Sequence, residues 1–180
     1  MLLVKNLAAW REWLESNDGT SDGVWLTLSK AGHVEPTSLK YQEALEEALC
    51  SGWIDGQRKG LNEVSFLQRF TPRRKTSMWS LRNVELIAEL SKAERLRPRG
   101  IEEVTKAKAD GRWRRAYPGA SRFVEPDDLL RELSTSPRAS EAYSRLKSHE
   151  RYALALPIIT AKTPEARVKR IAATVARLSD

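Results

Sequence analysis

Two runs of alternating side chains, Trp53–Arg58 and Val64–Thr71, flank the polar break Gly60–Glu63, and this pairing constrains the fold more than anything else in the chain. A two-residue period puts successive side chains on opposite faces of a strand, and a short glycine-bearing break between two such runs predicts a hairpin. On the second run Val64, Phe66, Gln68 and Phe70 share one side, leaving Leu67 and Arg69 on the other. On the first, Trp53 and Asp55 share a face. Such a hairpin brings Asp55 and Arg69 together in some registers, and the sequence alone does not fix the register. Pro72, which has no N–H to donate, closes the second run.

Helical periods surround the hairpin. Leu7, Trp10 and Leu14 make one apolar face over Asn6–Ser16. After the turn-rich Asn17–Gly23 stretch, Val24–Lys30 alternates as a strand. Thr37 or Ser38 is placed to cap a helix carrying Tyr41, Leu45, Ala48 and Leu49, which ends near Gly52. Helices are expected from Ser80 to Leu96 and from Pro98 to about Gly111. Beyond a linker at Tyr117–Glu125, more follow at Pro126–Leu133, Pro137–Leu146, Arg151–Lys162 and Thr163–Leu178. In the last of these Val168, Ile171, Val175 and Leu178 form a stripe. The expected class is α+β: a small antiparallel sheet packed against helices in a domain at 1–115, then a C-terminal helical region at 126–180 packed on the first.

Hydrophobic content of 41% and charged content of 31% are those of a folded globular protein rather than a disordered chain. No apolar run reaches the roughly 18–20 residues that span a bilayer. The opening residues lack the pattern of a signal peptide, and the single Cys50 suits a reducing compartment, so a cytoplasmic location is expected. The net charge is +7, and it is concentrated locally. From Arg58 to Arg82 the chain carries Arg58, Lys59, Arg69, Arg73, Arg74, Lys75 and Arg82 against Glu63 alone. Some anion is expected to meet that patch.

Six residues make up the candidate ligand site: Trp53, Asp55, Arg69, Arg73, Trp79 and Asn83. Asp is poorly suited to a strand interior, so Asp55 either pairs with Arg69 or Arg73 to fix the hairpin or orients a ligand. Pro72 restricts Thr71 and displays the flanking arginines, whose guanidinium forks suit carboxylate or phosphate. Trp79 is placed to stack on an arginine or a planar ligand, or to serve as a core residue. Asn83 follows Ser80 at a helix start beside basic residues. His33, His149 and Cys50 are scattered, so no metal site is expected, and no cofactor-binding motif occurs. Cys50 reads as a small buried hydrophobe. Arg167 and Arg170 lie about one turn apart, either solvated or docked against acids of another helix.

The chain resembles the YdeI/OmpD-associated (OmdA, bacteriocin-protection) family. The resemblance rests on Gly23-Val24-Trp25-Leu26 with Lys30; on Tyr41, Glu43-Ala44 and Glu47-Ala48-Leu49-Cys50; on Gly52-Trp53-Ile54-Asp55-Gly56 through Arg69–Arg73, Ser77, Trp79-Ser80 and Asn83; and on Ala161-Lys162, Glu165, Arg167 and Arg170-Ile171. Ser51 departs from it, since members often carry an aromatic there. The resemblance implies a YdhG-like α+β domain, an OmdA-like tail, and a role in envelope stress or tolerance of bacteriocins and antimicrobial peptides. Three functions compete. The leading one is a non-enzymatic module binding a small anionic ligand or an acidic peptide. The others are an enzyme with Asp55 as general base, and nucleic-acid binding through the basic clusters.

Overall fold

The computed structural model describes residues 1–180 and divides into two compact units: Met1–Met78 with Asn83–Arg114, and Trp79–Arg82 with Arg115–Asp180. The first contains α1 (Leu7–Asn17), β1 (Val24–Ser29), α2 (Tyr41–Cys50), β2 (Trp53–Gly60), β3 (Ser65–Pro72), most of α3 (Leu81–Lys92) and α4 (Pro98–Ala109). The strands form one antiparallel sheet in the order β1-β3-β2. The α+β class read from the sequence is therefore the observed one.

Alternation along the strands builds the core of this unit. Leu26, Leu28, Phe66, Phe70 and Trp53 point to one face and are buried. Trp10 and Leu14 of α1 and Leu45 and Leu49 of α2 are sealed with them. Trp10 stacks on Trp13 with ring centroids 5.3 Å apart, and Trp13 meets Trp53 edge-on at 5.7 Å. Both buried indoles that need an acceptor find one: Trp10 Nε1 donates to the Ala44 carbonyl and Trp53 Nε1 to that of Asp18, each at 3.1 Å. Helix α1 is capped by the Asn6 side chain, which accepts from the Ala9 N–H. Thr37 and Ser38 do not cap α2. Its first turn is held instead by Glu43, which reaches back to the Lys40 N–H at 2.9 Å.

One acid joins the helical layer. Glu47 on α2 has a side chain only 2% exposed, and three arginines converge on it. Arg11 of α1 grips it through Nε and Nη2, at 3.2 and 2.9 Å. Arg95 and Arg97, on the connector between α3 and α4, reach it at 2.7 and 2.5 Å. Burial by itself would raise the Glu47 pKa, but hydrogen bonds from Arg11, Arg95 and Arg97 outweigh it and hold the carboxyl at about 2. Helix α4 then approaches α2 backbone to backbone. The Arg97 N–H donates to the Cys50 carbonyl at 3.0 Å, and a Cβ on Gly100 would overlap that same carbonyl oxygen. Only glycine fits there.

The second unit contains the short 3-10 helix Ala120–Arg122 and helices α5 (Asp127–Ser134), α6 (Pro137–Ser144), α7 (Ser148–Ile159) and α8 (Pro164–Ser179). Its core gathers Leu129, Leu133, Tyr143, Ile158, Ile171 and Val175. Val168, expected in the buried stripe of α8, is 66% exposed. One turn before Ile171, it has rotated past the edge of the apolar arc. Arg167 forks onto Asp128 of α5 at 2.6 and 2.8 Å, which ties the start of α8 to α5.

Removing the negative charge of Glu47 leaves three guanidiniums without their common partner. Glu47→Gln is expected to destabilise the fold by about 3–5 kcal/mol, read from urea denaturation. The folded pKa of Glu47 lies below its ordinary value of 4.5, so its contribution is complete above that value and fades as pH falls toward 2. The acid limb of the pH–stability curve should therefore flatten in the Gln variant. A gain is expected at Glu94. It sits at φ 54 just beyond α3, where its N–H bonds the Ser91 carbonyl and the Arg95 N–H bonds that of Leu90. Glycine suits this left-handed position, so Glu94→Gly should stabilise by about 1 kcal/mol.

Candidate functional site

The hairpin register separates residues that the sequence placed together. Asp55 stands opposite Phe70 and Ile54 opposite Thr71, so Asp55 shares the helix-covered face with Trp53 and Phe70. Arg69, one residue along β3, leaves the other face, where it stands opposite Trp25 of β1. Asp55 and Arg69 do not meet. Asp55 forms no ion pair with Arg73 either. It accepts a 2.6 Å hydrogen bond from the Tyr41 hydroxyl of α2. A carboxylate in a strand interior is satisfied here by a phenol from the helical layer, and a strand-only reading has no way to show such a partner.

The remaining candidates are mostly inside. Trp53 is fully buried, wedged against Trp13, so no ligand touches it without opening the core. Arg73 and Asn83 are each 7% exposed. The Arg73 N–H donates to the Gly52 carbonyl, and its Nη1 donates to that of Met78 at 3.2 Å. Trp79 is buried and belongs to the second unit. Of the six, Arg69 alone lies on the outer sheet face, half-exposed, its Nη2 in long contact with the Asp22 carbonyl at 3.4 Å.

That outer face carries a different set of groups. Lys59 of β2 lies with its ammonium 4.4 Å from the centre of the Trp25 ring, reaching past Leu67 of the central strand. Arg58, the neighbour of Lys59 on β2, projects to the opposite face, where it lies over the Phe66 ring at 3.8 Å. Arg58, Lys59, Arg69, Arg74 and Lys75 form no ion pair at all. Several arginines elsewhere are paired: Arg11, Arg95 and Arg97 in the first unit, and Arg145, Arg151 and Arg167 in the second. The hairpin and the connector after it therefore hold an uncompensated positive field. The sequence exposed the charge excess. It missed Trp25, which only the β1–β3 pairing brings beside the hairpin.

Two other concavities contain charged groups that are already engaged. A cleft of about 430 Å³ is bordered by Arg11, Glu47, Glu94, Arg95 and Arg97, whose arginines serve Glu47. In the second unit a cleft of about 450 Å³ lies beside Phe123, Glu125 and Arg151. Arg151 spends its guanidinium on Glu125 and on the Leu146 and Ser144 carbonyls. Burial, reinforced by Glu125, pushes the neighbouring Tyr143 phenol up to about 12. No three His, Cys, Asp or Glu side chains cluster closely enough to hold a metal ion. No helix is long and apolar enough to cross a membrane.

Comparison with known families follows the same two-part division. Residues 2–103 match the model of a domain of unknown function (DUF8412), more than half the chain, and the chain belongs to that family. Residues 122–180 match the model described as bacteriocin-protection, YdeI or OmpD-associated. The resemblance drawn from the sequence thus holds for the C-terminal part. The motifs quoted from Gly23 to Asn83 fall within the other match. No curated protein and no solved structure matches the chain significantly.

The Tyr41–Asp55 bond links α2 to the hairpin on which these cations stand. Tyr41→Phe is expected to lower stability by about 1.5–3 kcal/mol, the range for hydrogen bonds to a charged group, measured by chemical denaturation.

Proposed function

We propose that the N-terminal unit is a binding module for an anionic partner, engaged from the outer face and free edge of the β2–β3 hairpin and not from a closed pocket. One observation supports this reading above the others: five cations, Arg58, Lys59, Arg69, Arg74 and Lys75, share a hairpin and its connector with no ion-pair partner, whereas Arg11, Arg97 and Arg167 are each tied to an acid. Uncompensated surface charge of one sign raises the local concentration of the opposite charge and speeds encounter. Arg69 is held between the Asp22 carbonyl and its strand neighbours, and Lys59 rests on Trp25. Both are thereby displayed with less freedom to lose on binding. Asp55 is engaged by Tyr41 and pairs with none of these cations, and this counts against an enzyme that would use it as base beside an arginine-stabilised anion.

The description of the C-terminal match suggests a role in bacteriocin protection. A cationic antimicrobial peptide would be repelled by the hairpin, so protection would run through an acidic partner instead of direct capture.

Fluorescence anisotropy with labelled deca-glutamate tests this proposal. Binding should weaken as salt rises from about 50 to 200 mM, since exposed charges are screened over that range. Lys59→Gln with Arg69→Gln should weaken it by about tenfold, two charge-assisted contacts at roughly 0.7 kcal/mol each. The control Lys162→Gln with Lys169→Gln should bind like wild type. Equal losses in both double variants would show diffuse charge attraction and remove the proposal.

A further inference from the structure

The free edge of β2 narrows the chemical class of that anionic partner. Strand β2 lies at one margin of the sheet, and it is exposed from Gly56 to Gly60. The register slips by one residue between Asp55 and Arg58, so that Gly56 and Gln57 together oppose Arg69. The Gln68 side chain then donates to the Gly56 and Gln57 carbonyls at 2.9 and 3.3 Å, closing that part of the margin. Beyond the slip, the Leu61 N–H bonds the Ser65 carbonyl, which sets the phase of the ladder. In an antiparallel pair the bonded residues alternate, so Lys59 faces β3 while the N–H and C=O groups of Arg58 and Gly60 face outward. No backbone group elsewhere in the chain pairs with them.

We propose that an extended acidic peptide adds to this edge as a fourth strand, pairing with the Arg58 and Gly60 backbone and setting its carboxylates against Arg58 and Lys59. The inference rests on the anionic-partner reading above. Main-chain bonds would supply the docking geometry, and the side chains the selection. Arg58 and Lys59 project to opposite faces, one over Phe66 and the other over Trp25, so the incoming strand presents adjacent acids, one on each face. The same cations exclude a second copy of this chain. The exposed stretch Gly56–Gly60 is centred on Arg58, so antiparallel self-pairing about its middle sets Arg58 against Arg58.

The test uses the full chain and a capped nine-residue peptide of threonine with two adjacent central glutamates. Titration with hydrogen exchange should show the Arg58 and Gly60 amides protected by the peptide, with Lys59 unchanged because its amide already faces β3. Replacing the two glutamates with glutamine should weaken binding at least tenfold, as should N-methylating the peptide amides that face β2. The modification is on the peptide, so the protein's folding is not at stake. Equal binding by the N-methylated peptide, with the glutamine peptide still weak, overturns edge addition and leaves the anionic-partner reading intact. Binding of a twelve-residue oligothymidylate without any peptide binding also overturns it and reassigns the face to nucleic acid. If neither peptide, oligonucleotide nor deca-glutamate binds, both readings fall.

Discussion

Glu47 is the point through which the N-terminal unit is assembled. A single carboxylate, nearly removed from water, receives guanidiniums from α1 and from the connector between α3 and α4. Taking a charge out of water is costly, and the arrangement is tolerated only because each oxygen is served more than once. The consequence is geometric. Helix α2 is locked to its neighbours on the side away from the sheet, while its other side packs on the strands. The hairpin that carries the exposed cations thus stands on a layer whose position is fixed by electrostatics as well as by apolar contact.

The two kinds of arginine in this protein have different uses. Those around Glu47, and Arg167 on Asp128, are spent inside the structure. Those on the hairpin are not. Arg58 and Lys59 lie on aromatic faces, which restrains them without neutralising them. A surface of this sort keeps its field directed at solvent, available to whatever acid approaches. Its location on an open sheet margin means that charge and unpaired backbone occur together.

Most of the fold was legible in the sequence because its signals are local. Helical stripes and strand alternation placed all three strands and most helices within a residue or two, for instance α1 and the start of α4 at Pro98, whereas α3 ends four residues short of Leu96 and α7 begins three residues before Arg151. The site was less legible, because it depends on partners distant in the chain. Asp55 was expected to pair with an arginine from its own hairpin, but the one-residue choice of register sent Arg69 to the other face and left Tyr41 as partner. Trp53 looked like a wall for a ligand and is a core residue, since composition does not separate a buried indole from a half-exposed one. Val168 kept the helical period of α8, yet the apolar arc of that helix is narrower than the period suggests.

The close approach of α4 to α2 at Gly100 has a chemical corollary. Cys50, the only thiol, lies at that seam with no exposed surface, and burial, reinforced by Glu47, pushes its pKa to about 11. In the native state it is neither accessible nor ionised, and a thiol reagent needs both. Alkylation can proceed only when the packing around Cys50 opens. The rate at which this one sulfur becomes labelled is therefore a clock for opening of the core around it, supplied by the natural sequence with no added reporter.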